Sequence, residues 1–331
     1  MPSALRLGFA GTPEFAVAAL DALAGSRHTL AAVFTKPDRP AGRGQAVQQS
    51  PVRRRAATLG LPVHQPESFK TPEVLATLRG LELDALIVVA YGLILPAAAL
   101  AAPRLGCFNI HASLLPRWRG AAPIHRAVLA GDATTGVTIM RMETGLDTGP
   151  RLAARSLAIE ADETTGRLHD RLARLGGELI VETLDSIANG SAREEPQPAA
   201  GITYAEKISK AEAVIDWNAD AAQIVRRVRA FNPWPIAETK LDGVQLRLWE
   251  AEVAPAASIA SQVPIVPGAT ISPCTQVPPG TVLAAATEGI DVACGSGVVR
   301  ILRLQLAGRK PLAAQEFIKA HPVTGARLVS S

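Results

Sequence analysis

The first half of the chain alternates short apolar runs with segments of helical periodicity. Five apolar runs predict strands, at residues 5–10, 30–34, 85–90, 107–111 and 136–140. Four intervening segments predict helices, at residues 14–24, 51–59, 72–78 and 121–130. Two of these helices begin at a hydroxyl residue followed by Pro, which suits a first turn that needs no N–H. Strands that alternate with helices predict an α/β fold, in which helices cover both faces of a parallel sheet.

The second half of the chain has a different pattern. A long amphipathic helix is predicted over residues 165–187, and the polar, Pro-containing residues 191–201 are typical of a linker. Residues 254–279 are rich in Pro, Ala and Ser, which predicts a mobile loop. Short apolar runs separated by turn residues predict a small β-barrel with strands near residues 238–241, 246–253, 280–285, 290–293 and 298–306.

Composition limits the class of protein. A chain of 331 residues suggests two domains, and 48% hydrophobic against 19% charged residues excludes global disorder. Three scattered cysteines are too few for a disulfide framework or a metal site. The one membrane-like run, residues 85–102, contains Gly92 and Pro96 and is better explained by a strand, a turn and a short helix. Because no secretory leader is recognisable either, we expect a cytoplasmic protein without membrane attachment.

Positive charge is concentrated in one short segment. The net charge of +4 is mild, and it permits an anionic partner without requiring one. A single acid, Asp38, accompanies the six cations of residues 35–55, which are Lys36, Arg39, Arg43, Arg53, Arg54 and Arg55. Such a cluster is either a solvated surface or a contact site for an anion.

Residues 106–149 carry the groups expected for acyl transfer to an amine. Asn109 and His111 lie at the end of a predicted strand, where ligands bind in parallel sheets, and strand alternation places them on one face. The Asn109 amide can donate to a carbonyl oxygen that gains negative charge, and imidazole transfers protons near neutrality. Asp147 lies in a Gly-flanked turn and could orient His111 or carry a proton itself.

Each of these residues also has a structural interpretation. Asn109 could cap the strand, His111 could be a satisfied core residue, and Asp147 could be an ordinary turn aspartate. The hydroxyl and apolar turn at residues 113–116 could wall a flat aromatic ligand or form a plain loop. Gly8 and Gly11 follow the first strand but do not make a convincing dinucleotide fingerprint.

Eight collinear motifs resemble those of the methionyl-tRNA formyltransferases. The Asn-x-His and Ser-Leu-Leu-Pro elements are shared with the wider folate-dependent formyltransferases, and the Lys-Pro-Asp loop and the second domain point to the tRNA enzymes. The motifs are Phe9-Ala-Gly-Thr-Pro-Glu-Phe15, Thr35-Lys-Pro-Asp-Arg-Pro-Ala-Gly-Arg-Gly44, Val89-Ala-Tyr-Gly92, Asn109-Ile-His111, Ser113-Leu-Leu-Pro-Arg-Trp-Arg-Gly-Ala-Ala-Pro123, Gly145-Leu-Asp-Thr-Gly149, Tyr204-Ala-Glu-Lys-Ile-Ser-Lys210 and Arg229-Ala-Phe-Asn-Pro-Trp-Pro235.

The resemblance implies an organisation and a reaction. It implies a Rossmann-like parallel-sheet formyltransferase domain at residues 1–190, a linker at 191–209 and a small OB-like β-barrel domain that binds tRNA at 210–331. The reaction is transfer of a formyl group from 10-formyltetrahydrofolate, as co-substrate, to the α-amino group of methionyl-initiator tRNA. No metal is expected, because the donor is already activated. We expect a monomer.

The resemblance also implies site residues. Catalysis is assigned to Asn109, His111 and Asp147. Residues expected to bind the folate are Val89, Tyr91, Gly92, Leu93, Leu95, Ser113, Leu114, Leu115 and Pro116. Residues expected to contact the tRNA are Lys36, Arg39, Arg43, Lys207 and Lys210.

Two other functions remain open at the level of sequence. One is a formyltransferase for a small amine such as an amino sugar, against which the basic loop and the second domain argue. The other is a module that binds tRNA or a nucleotide without catalysis.

Overall fold

The computed structural model describes residues 4–41, 46–255 and 277–330. Arg43 and most of the predicted loop at 254–279 lie outside the described residues. The chain divides into two compact units. The first comprises Met1–Ile124, Ala133–Ile159 and Leu168–Glu206, and the second comprises His125–Asp132, Glu160–Arg167 and Lys207–Ser331. The main boundary, at Glu206, falls inside the segment predicted as a linker.

The first unit is built on a seven-stranded sheet. The strands of this unit are β1 (Arg6–Gly11), β2 (Thr29–Phe34), β3 (Arg39–Ala41), β4 (Ala46–Gln48), β5 (Val63–His64), β6 (Ala85–Val89), β7 (Cys107–His111), β8 (Arg119–Gly120), β9 (Thr134–Arg141), β10 (Arg151–Ala158) and β11 (Tyr204–Ala205). The sheet has the strand order β10-β9-β7-β6-β1-β2-β5. Two short pairs, β3 with β4 and β8 with β11, lie outside this sheet.

Six helices accompany these strands in the sequence. Where a helix begins with a hydroxyl residue and Pro, the boundary predicted from sequence is right. Ser50 accepts a hydrogen bond from the Arg53 N–H at 3.0 Å, whereas the Thr71 hydroxyl makes no capping bond. The helices are α1 (Phe15–Ala24), α2 (Pro51–Thr58), α3 (Pro72–Gly80), α4 (Ala97–Leu100), α5 (Pro123–Ala130) and α6 (Thr165–Ala188).

The predicted parallel sheet is confirmed for four of the five predicted strands, β1, β2, β6 and β7. The fifth, β9, is antiparallel where a parallel strand is expected, and β5 is a parallel strand that the sequence pattern does not predict. β5, β2, β1, β6 and β7 pair in parallel, and every residue of β6 is buried, as expected for a strand covered on both faces. β9 pairs antiparallel with β7, and β10 antiparallel with β9. The sequence pattern does not predict β10, because its residues are half-buried or exposed and polar side chains interrupt any apolar run.

The second unit holds an antiparallel seven-stranded sheet, in agreement with the predicted OB-like barrel. Its order is β14-β15-β16-β13-β12-β18, with β17 paired to β16. The edge strands approach each other, since the Leu328 N–H donates to the Gly280 carbonyl at 2.8 Å and the Val282 N–H to the Ala326 carbonyl at 2.9 Å. The elements are α7 (Ala221–Ala230), β12 (Ala237–Leu241), β13 (Val244–Val253), β14 (Val282–Ala286), β15 (Gly289–Ala293), β16 (Val298–Leu306), β17 (Leu312–Ala313), α8 (Ala314–Ala320), β18 (Leu328–Val329) and a 3-10 turn (Lys210–Ala213).

The run at residues 85–102 forms β6, a turn and α4, as the sequence predicts. Within the ranges that the structure describes, no helix combines the length and the apolar character needed to cross a membrane.

Candidate active site

β7 presents Asn109 and His111 on one face of the sheet. Both side chains reach Asp147, so the alternation inferred from the sequence holds. Ile110 points the other way, where it packs so closely against Gly176 of α6 that a Cβ there would collide with it. The buried apolar Ile110 between two polar residues therefore fixes which face of the strand carries Asn109 and His111.

The Asp147 carboxylate lies at the centre of this arrangement. Its Oδ1 accepts from the Asn109 Nδ2 at 3.4 Å, and its Oδ2 accepts from the Gly120 N–H at 2.8 Å. The same Oδ2 lies 3.7 Å from the His111 Nδ1. Asp147 has a φ of 50°, in the left-handed region where Asp and Asn are the most tolerant of the residues with a side chain. Asn109, His111 and Asp147 thus converge at the end of β7.

His111 has a defined tautomer. Its Nε2 lies 2.9 Å from the Trp118 carbonyl oxygen, which can only accept, and we therefore assign the proton of the neutral ring to Nε2. The Nδ1 of that tautomer carries a lone pair and faces the Asp147 carboxylate. A proton taken up at Nδ1 would give an imidazolium held by a carbonyl on one side and a carboxylate on the other.

Backbone groups that hold the site have no signature in the sequence. The Trp118 carbonyl orients His111 and the Gly120 N–H orients Asp147. Trp118 itself has a φ of 62° and stacks beneath the Arg117 guanidinium, which is 4.3 Å from the ring centroid. Gln197, in the predicted linker, donates to the Asp147 carbonyl at 2.7 Å. A polar residue flanked by two prolines gives no signal of such a role.

Three of the residues predicted to bind folate have their side chains in the hydrophobic core. Val89, Tyr91 and Leu95 are 0%, 2% and 7% exposed. The Tyr91 ring packs edge-on against Phe69, and its burial raises the pKa of the phenol above the ordinary value. Its hydroxyl has no hydrogen-bond partner among the described residues. These side chains therefore support the turn that follows β6 from the interior of the protein.

The surface of that turn is formed by other residues. Gly92 is exposed with a φ of 77°, and the Lys36 side chain occupies the space that a Cβ would take. Leu93 is half-buried, and Ile94, which was not among the predicted site residues, is 79% exposed. An exposed apolar side chain can pack on the face of a flat ring, and accessible backbone groups beside it can form hydrogen bonds with the edge of that ring.

The predicted Ser-Leu-Leu-Pro turn is held by one hydrogen bond within its own segment and one to β9. The buried Ser113 hydroxyl donates to the Arg117 carbonyl at 2.6 Å, and the Leu115 N–H donates to the Thr138 hydroxyl at 3.1 Å. Leu115 is buried, whereas Leu114 and Pro116 are half-buried. The polar groups of this turn therefore fix its shape, and of its three apolar side chains only those of Leu114 and Pro116 are partly accessible.

The basic segment separates into two groups. Arg53 forms an ion pair with Asp38, and Arg55 forms one with Asp21 at 2.6 Å, so these cations are engaged within the first unit. Arg39 is exposed on β3. In the second unit, Lys207 and Lys210 are both exposed. The predicted contact residue Arg43 lies outside the described residues.

Neither a reactive thiol nor a metal cluster is evident at this site. Cys107 begins β7, but burial raises the pKa of its thiol to about 12, so it is protonated and unreactive near neutrality. Across residues 4–41, 46–255 and 277–330, no three His, Cys, Asp or Glu side chains are grouped closely enough to hold a metal ion.

Residues 6–184 match the formyl transferase family, and residues 207–322 match the family described as formyl transferase, C-terminal domain. The chain belongs to the formyl transferase family. It is 52% identical over 324 residues to methionyl-tRNA formyltransferase of Methylococcus capsulatus, covering 98% of this chain and 99% of that protein. It is 54% identical over 323 residues to methionyl-tRNA formyltransferase of Chromohalobacter salexigens, covering 97% and 95%.

Solved structures of low sequence identity share the fold of this family member. An N-formyltransferase from Helicobacter canadensis, in complex with folinic acid and dTDP-3-aminofucose, aligns with a TM-score of 0.62 at 16% identity, covering 90% of this chain and 98% of that chain. HypX from Aquifex aeolicus, in complex with tetrahydrofolic acid, aligns with a TM-score of 0.60 at 16% identity, covering 96% and 47%.

Proposed function

We infer that this chain is a methionyl-tRNA formyltransferase, which moves a formyl group from 10-formyltetrahydrofolate to the α-amino group of methionyl-initiator tRNA for translation initiation. The observation that carries the inference is the convergence of Asn109, His111 and Asp147 at the end of β7, in a chain 54% identical to a protein of that name. We propose that it acts as a monomer in the cytoplasm.

The proposed first step is attack by the neutral α-amino group on the formyl carbon. The amine gains a positive charge as its C–N bond forms, and a base must then take a proton. His111 Nδ1 presents the lone pair for this purpose, since Nε2 donates to the Trp118 carbonyl. Asp147 Oδ2, 3.7 Å away, stabilises the resulting imidazolium.

Asn109 has a separate task in this mechanism. The formyl oxygen becomes an oxyanion in the tetrahedral intermediate, and a donor aimed at it lowers the barrier. The Asn109 Nδ2 carries two N–H bonds, and Asp147 Oδ1 accepts only one of them. That contact also fixes the orientation of the amide, with nitrogen rather than oxygen directed into the site. Collapse of the intermediate breaks the bond to N10 of the folate, which receives the proton from His111.

The donor, 10-formyltetrahydrofolate, would bind between the turn that follows β6 and the Ser-Leu-Leu-Pro turn at residues 113–116. We propose that the backbone at Gly92 and Leu93 pairs with the edge of the pterin and that Ile94 and Leu114 cover its face. The exposure of Ile94 and the closed, apolar turn that holds Leu114 support this arrangement. In this proposal Val89, Tyr91, Leu95, Ser113 and Leu115 shape the walls from the interior, and Pro116 contributes to the rim.

Five cations are proposed to contact the tRNA. Arg39 and Lys36 would act from the first unit, Lys207 and Lys210 from the second, and Arg43 from the segment between β3 and β4. The exposure of Arg39, Lys207 and Lys210 supports phosphate contacts. Arg53 and Arg55, which are paired with acids, are not included.

A transfer assay tests the proposed function directly. The full chain is incubated with 10-formyltetrahydrofolate and methionyl-initiator tRNA, and formylmethionyl-tRNA is quantified after release of the amino acid. Uncharged initiator tRNA and a nucleotide-linked amino sugar serve as parallel acceptors. We expect formylation of the charged tRNA alone. Formylation of the sugar alone would support the small-amine enzyme, and binding of tRNA without transfer would support a non-catalytic module.

Arg39→Ala is expected to weaken tRNA binding without affecting the chemical step. The logarithm of the association constant for tRNA falls linearly with the logarithm of the salt concentration. Loss of one phosphate contact should reduce the magnitude of that slope by about 1. Binding to charged tRNA is measured between roughly 50 and 200 mM salt. Arg79→Ala, which removes an equally exposed cation from the end of α3, is the control and should leave the slope unchanged. Equal slopes for the wild type and Arg39→Ala would contradict the proposed contact.

Gly149→Ala is expected to disturb the loop that carries Asp147. A Cβ at Gly149 would fall on the Arg141 carbonyl oxygen, and backbone must move to relieve the overlap. We expect a loss of about 1–3 kcal/mol of unfolding free energy and at least roughly a 10-fold lower transfer rate, because Asp147 is displaced. Thermal unfolding and single-turnover kinetics measure both. Gly80→Ala, at the end of α3 with open space around its Cβ, should lower neither. A fully active Gly149→Ala variant would show that the loop tolerates displacement.

A further inference from the structure

The Gln197 side chain, in the predicted linker, is turned toward the candidate site. Residues 193–201 are exposed with the exception of Gln197, which is half-buried between Pro196 and Pro198. An amide in a polar, Pro-rich segment would ordinarily be solvated. Its inward position in this segment indicates that it is held by specific partners.

Both ends of the Gln197 amide are used. Nε2 donates to the Asp147 carbonyl at 2.7 Å and to the Gly149 carbonyl at 2.9 Å. Oε1 accepts from the Arg119 guanidinium, at 3.0 Å from Nε and 2.7 Å from Nη2. Because one end meets acceptors only and the other meets donors only, the orientation of the amide is fixed.

These bonds connect the two segments that hold the Asp147 carboxylate. The backbone of Asp147 has a φ of 50°, in the left-handed region, and hydrogen bonds to the carbonyls of Asp147 and Gly149 stabilise that conformation. Arg119 directly precedes Gly120, whose N–H donates to Asp147 Oδ2. Gln197 therefore contacts both the residue that carries the carboxylate and the neighbour of the group that binds it.

The same linker also holds the segment that orients His111. The Trp118 N–H donates to the Thr203 hydroxyl at 2.9 Å, and the Arg119 N–H donates to the Thr203 carbonyl at 2.9 Å. β11 then pairs in parallel with β8. The segment predicted as a linker therefore also fixes the backbone at Trp118 and Arg119, on either side of the carbonyl that binds His111.

We propose that Gln197 is a positioning residue, which holds the Asp147 carboxylate in the orientation that stabilises the His111 imidazolium during formyl transfer. The proposal rests on the proposed function and adds a residue to it. Gln197 does not touch substrate in this scheme, and its effect is transmitted entirely through Asp147. The signature of such a residue is a change in kcat that depends on the presence of the Asp147 carboxylate.

Gln197→Met and Gln197→Glu separate the bonds of this side chain. Met keeps the length of Gln and removes all four hydrogen bonds. Glu keeps an acceptor for Arg119. Its second oxygen replaces the amide nitrogen and is repelled by the carbonyl oxygens of Asp147 and Gly149. We expect both variants to lower kcat about 10- to 100-fold. The KM values for 10-formyltetrahydrofolate and for charged tRNA should stay within roughly 2-fold, because the binding groups are unchanged.

Two controls distinguish positioning from general destabilisation. Glu194→Gln loosens the same segment at its contact with Arg141, and Gln315→Met changes an exposed Gln in α8. Neither should lower kcat. Combined with Asp147→Asn, Gln197→Met should change the single-turnover rate by less than about 2-fold, since residues that act as a unit are not additive.

The outcomes are separable from those of the proposed function. If the wild-type chain does not formylate methionyl-tRNA, the proposed function fails. If the wild type is active and Gln197→Glu has the wild-type kcat, or Glu194→Gln loses as much as Gln197→Met, the positioning role fails. If Gln197→Met remains 10-fold slower in the Asp147→Asn background, the effect does not pass through Asp147 and the role is likewise overturned. Should Gln197→Met fold poorly, Gln197→Glu decides alone.

Discussion

Asn109→Ala is expected to lower the rate of formyl transfer about 10²- to 10³-fold, as loss of one oxyanion donor does in acyl transfer. The reason is geometric. Asn109 stands beside Asp147 at the end of β7 and still has an N–H to offer the formyl oxygen. Ala removes that donor when the oxygen becomes negative, so the loss falls on the transition state. We therefore expect kcat to fall while binding of charged tRNA stays within about 2-fold.

The fold should survive this substitution. The one hydrogen bond that the structure gives the Asn109 side chain within the described residues is long, at 3.4 Å, and its loss should cost no more than about 1 kcal/mol of unfolding free energy. Thermal unfolding and tRNA binding are measured beside single-turnover transfer. Asn189→Ala, at the exposed end of α6, is a matched control and should transfer at the wild-type rate. An Asn109→Ala variant with the wild-type rate would eliminate the oxyanion role.

Local patterns are sufficient to predict most of the elements. Both ends of β7 are predicted correctly, because Cys107, Phe108 and Ile110 form an apolar run bounded by Gly106 and a turn. The period of two residues along a strand is enough to place Asn109 and His111 on one face. The helix starts at Ser50 and Thr71 follow from the stereochemistry of Pro. In each case the determining interaction is between residues close in sequence.

Non-local features cannot be obtained in the same way. β9 runs antiparallel to β7, with Asn109 paired with Met140. An apolar run predicts a strand but does not indicate whether that strand is parallel or antiparallel to its neighbour. The burial of Tyr91 depends on Phe69, which is distant in sequence. These facts depend on contacts between distant segments, for which a single sequence carries no marker.

The same limit applies within the candidate site. The side chains to which we assign the chemistry are of recognisable types, so Asn109, His111 and Asp147 can be proposed from the sequence. The groups that orient them are a carbonyl, a backbone N–H and one Gln, and such groups are present throughout every protein. Trp118, Gly120 and Gln197 acquire a function only because the chain folds back to place them there.

Asp147→Asn tests the charge of the carboxylate with little change in shape. Asn tolerates a φ of 50° as well as Asp does, and its Oδ1 can still accept from the Gly120 N–H. The loop should therefore keep its conformation. Two things are lost. One is the negative charge facing His111 Nδ1, and with it the stabilisation of the imidazolium that forms when the amine gives up its proton. The other is the long bond that the second carboxylate oxygen accepts from the Asn109 Nδ2. We expect kcat to fall about 10²- to 10⁴-fold, the contribution of positioned acid–base groups.

A control for this substitution exists in the second unit. Asp242 also has a φ of 50°, and it is exposed in the turn between β12 and β13, so Asp242→Asn makes the same chemical change in the same backbone conformation. Transfer is measured in single turnovers with saturating tRNA and folate, and folding is followed by thermal unfolding. Asp242→Asn should retain the wild-type rate. If Asp147→Asn transfers formyl at a comparable rate, His111 must act without the carboxylate and the contact between His111 and Asp147 is structural only. If both variants are slow, the loss of transfer rate is a general effect of replacing Asp by Asn in this backbone conformation and is not caused by the missing charge at the site.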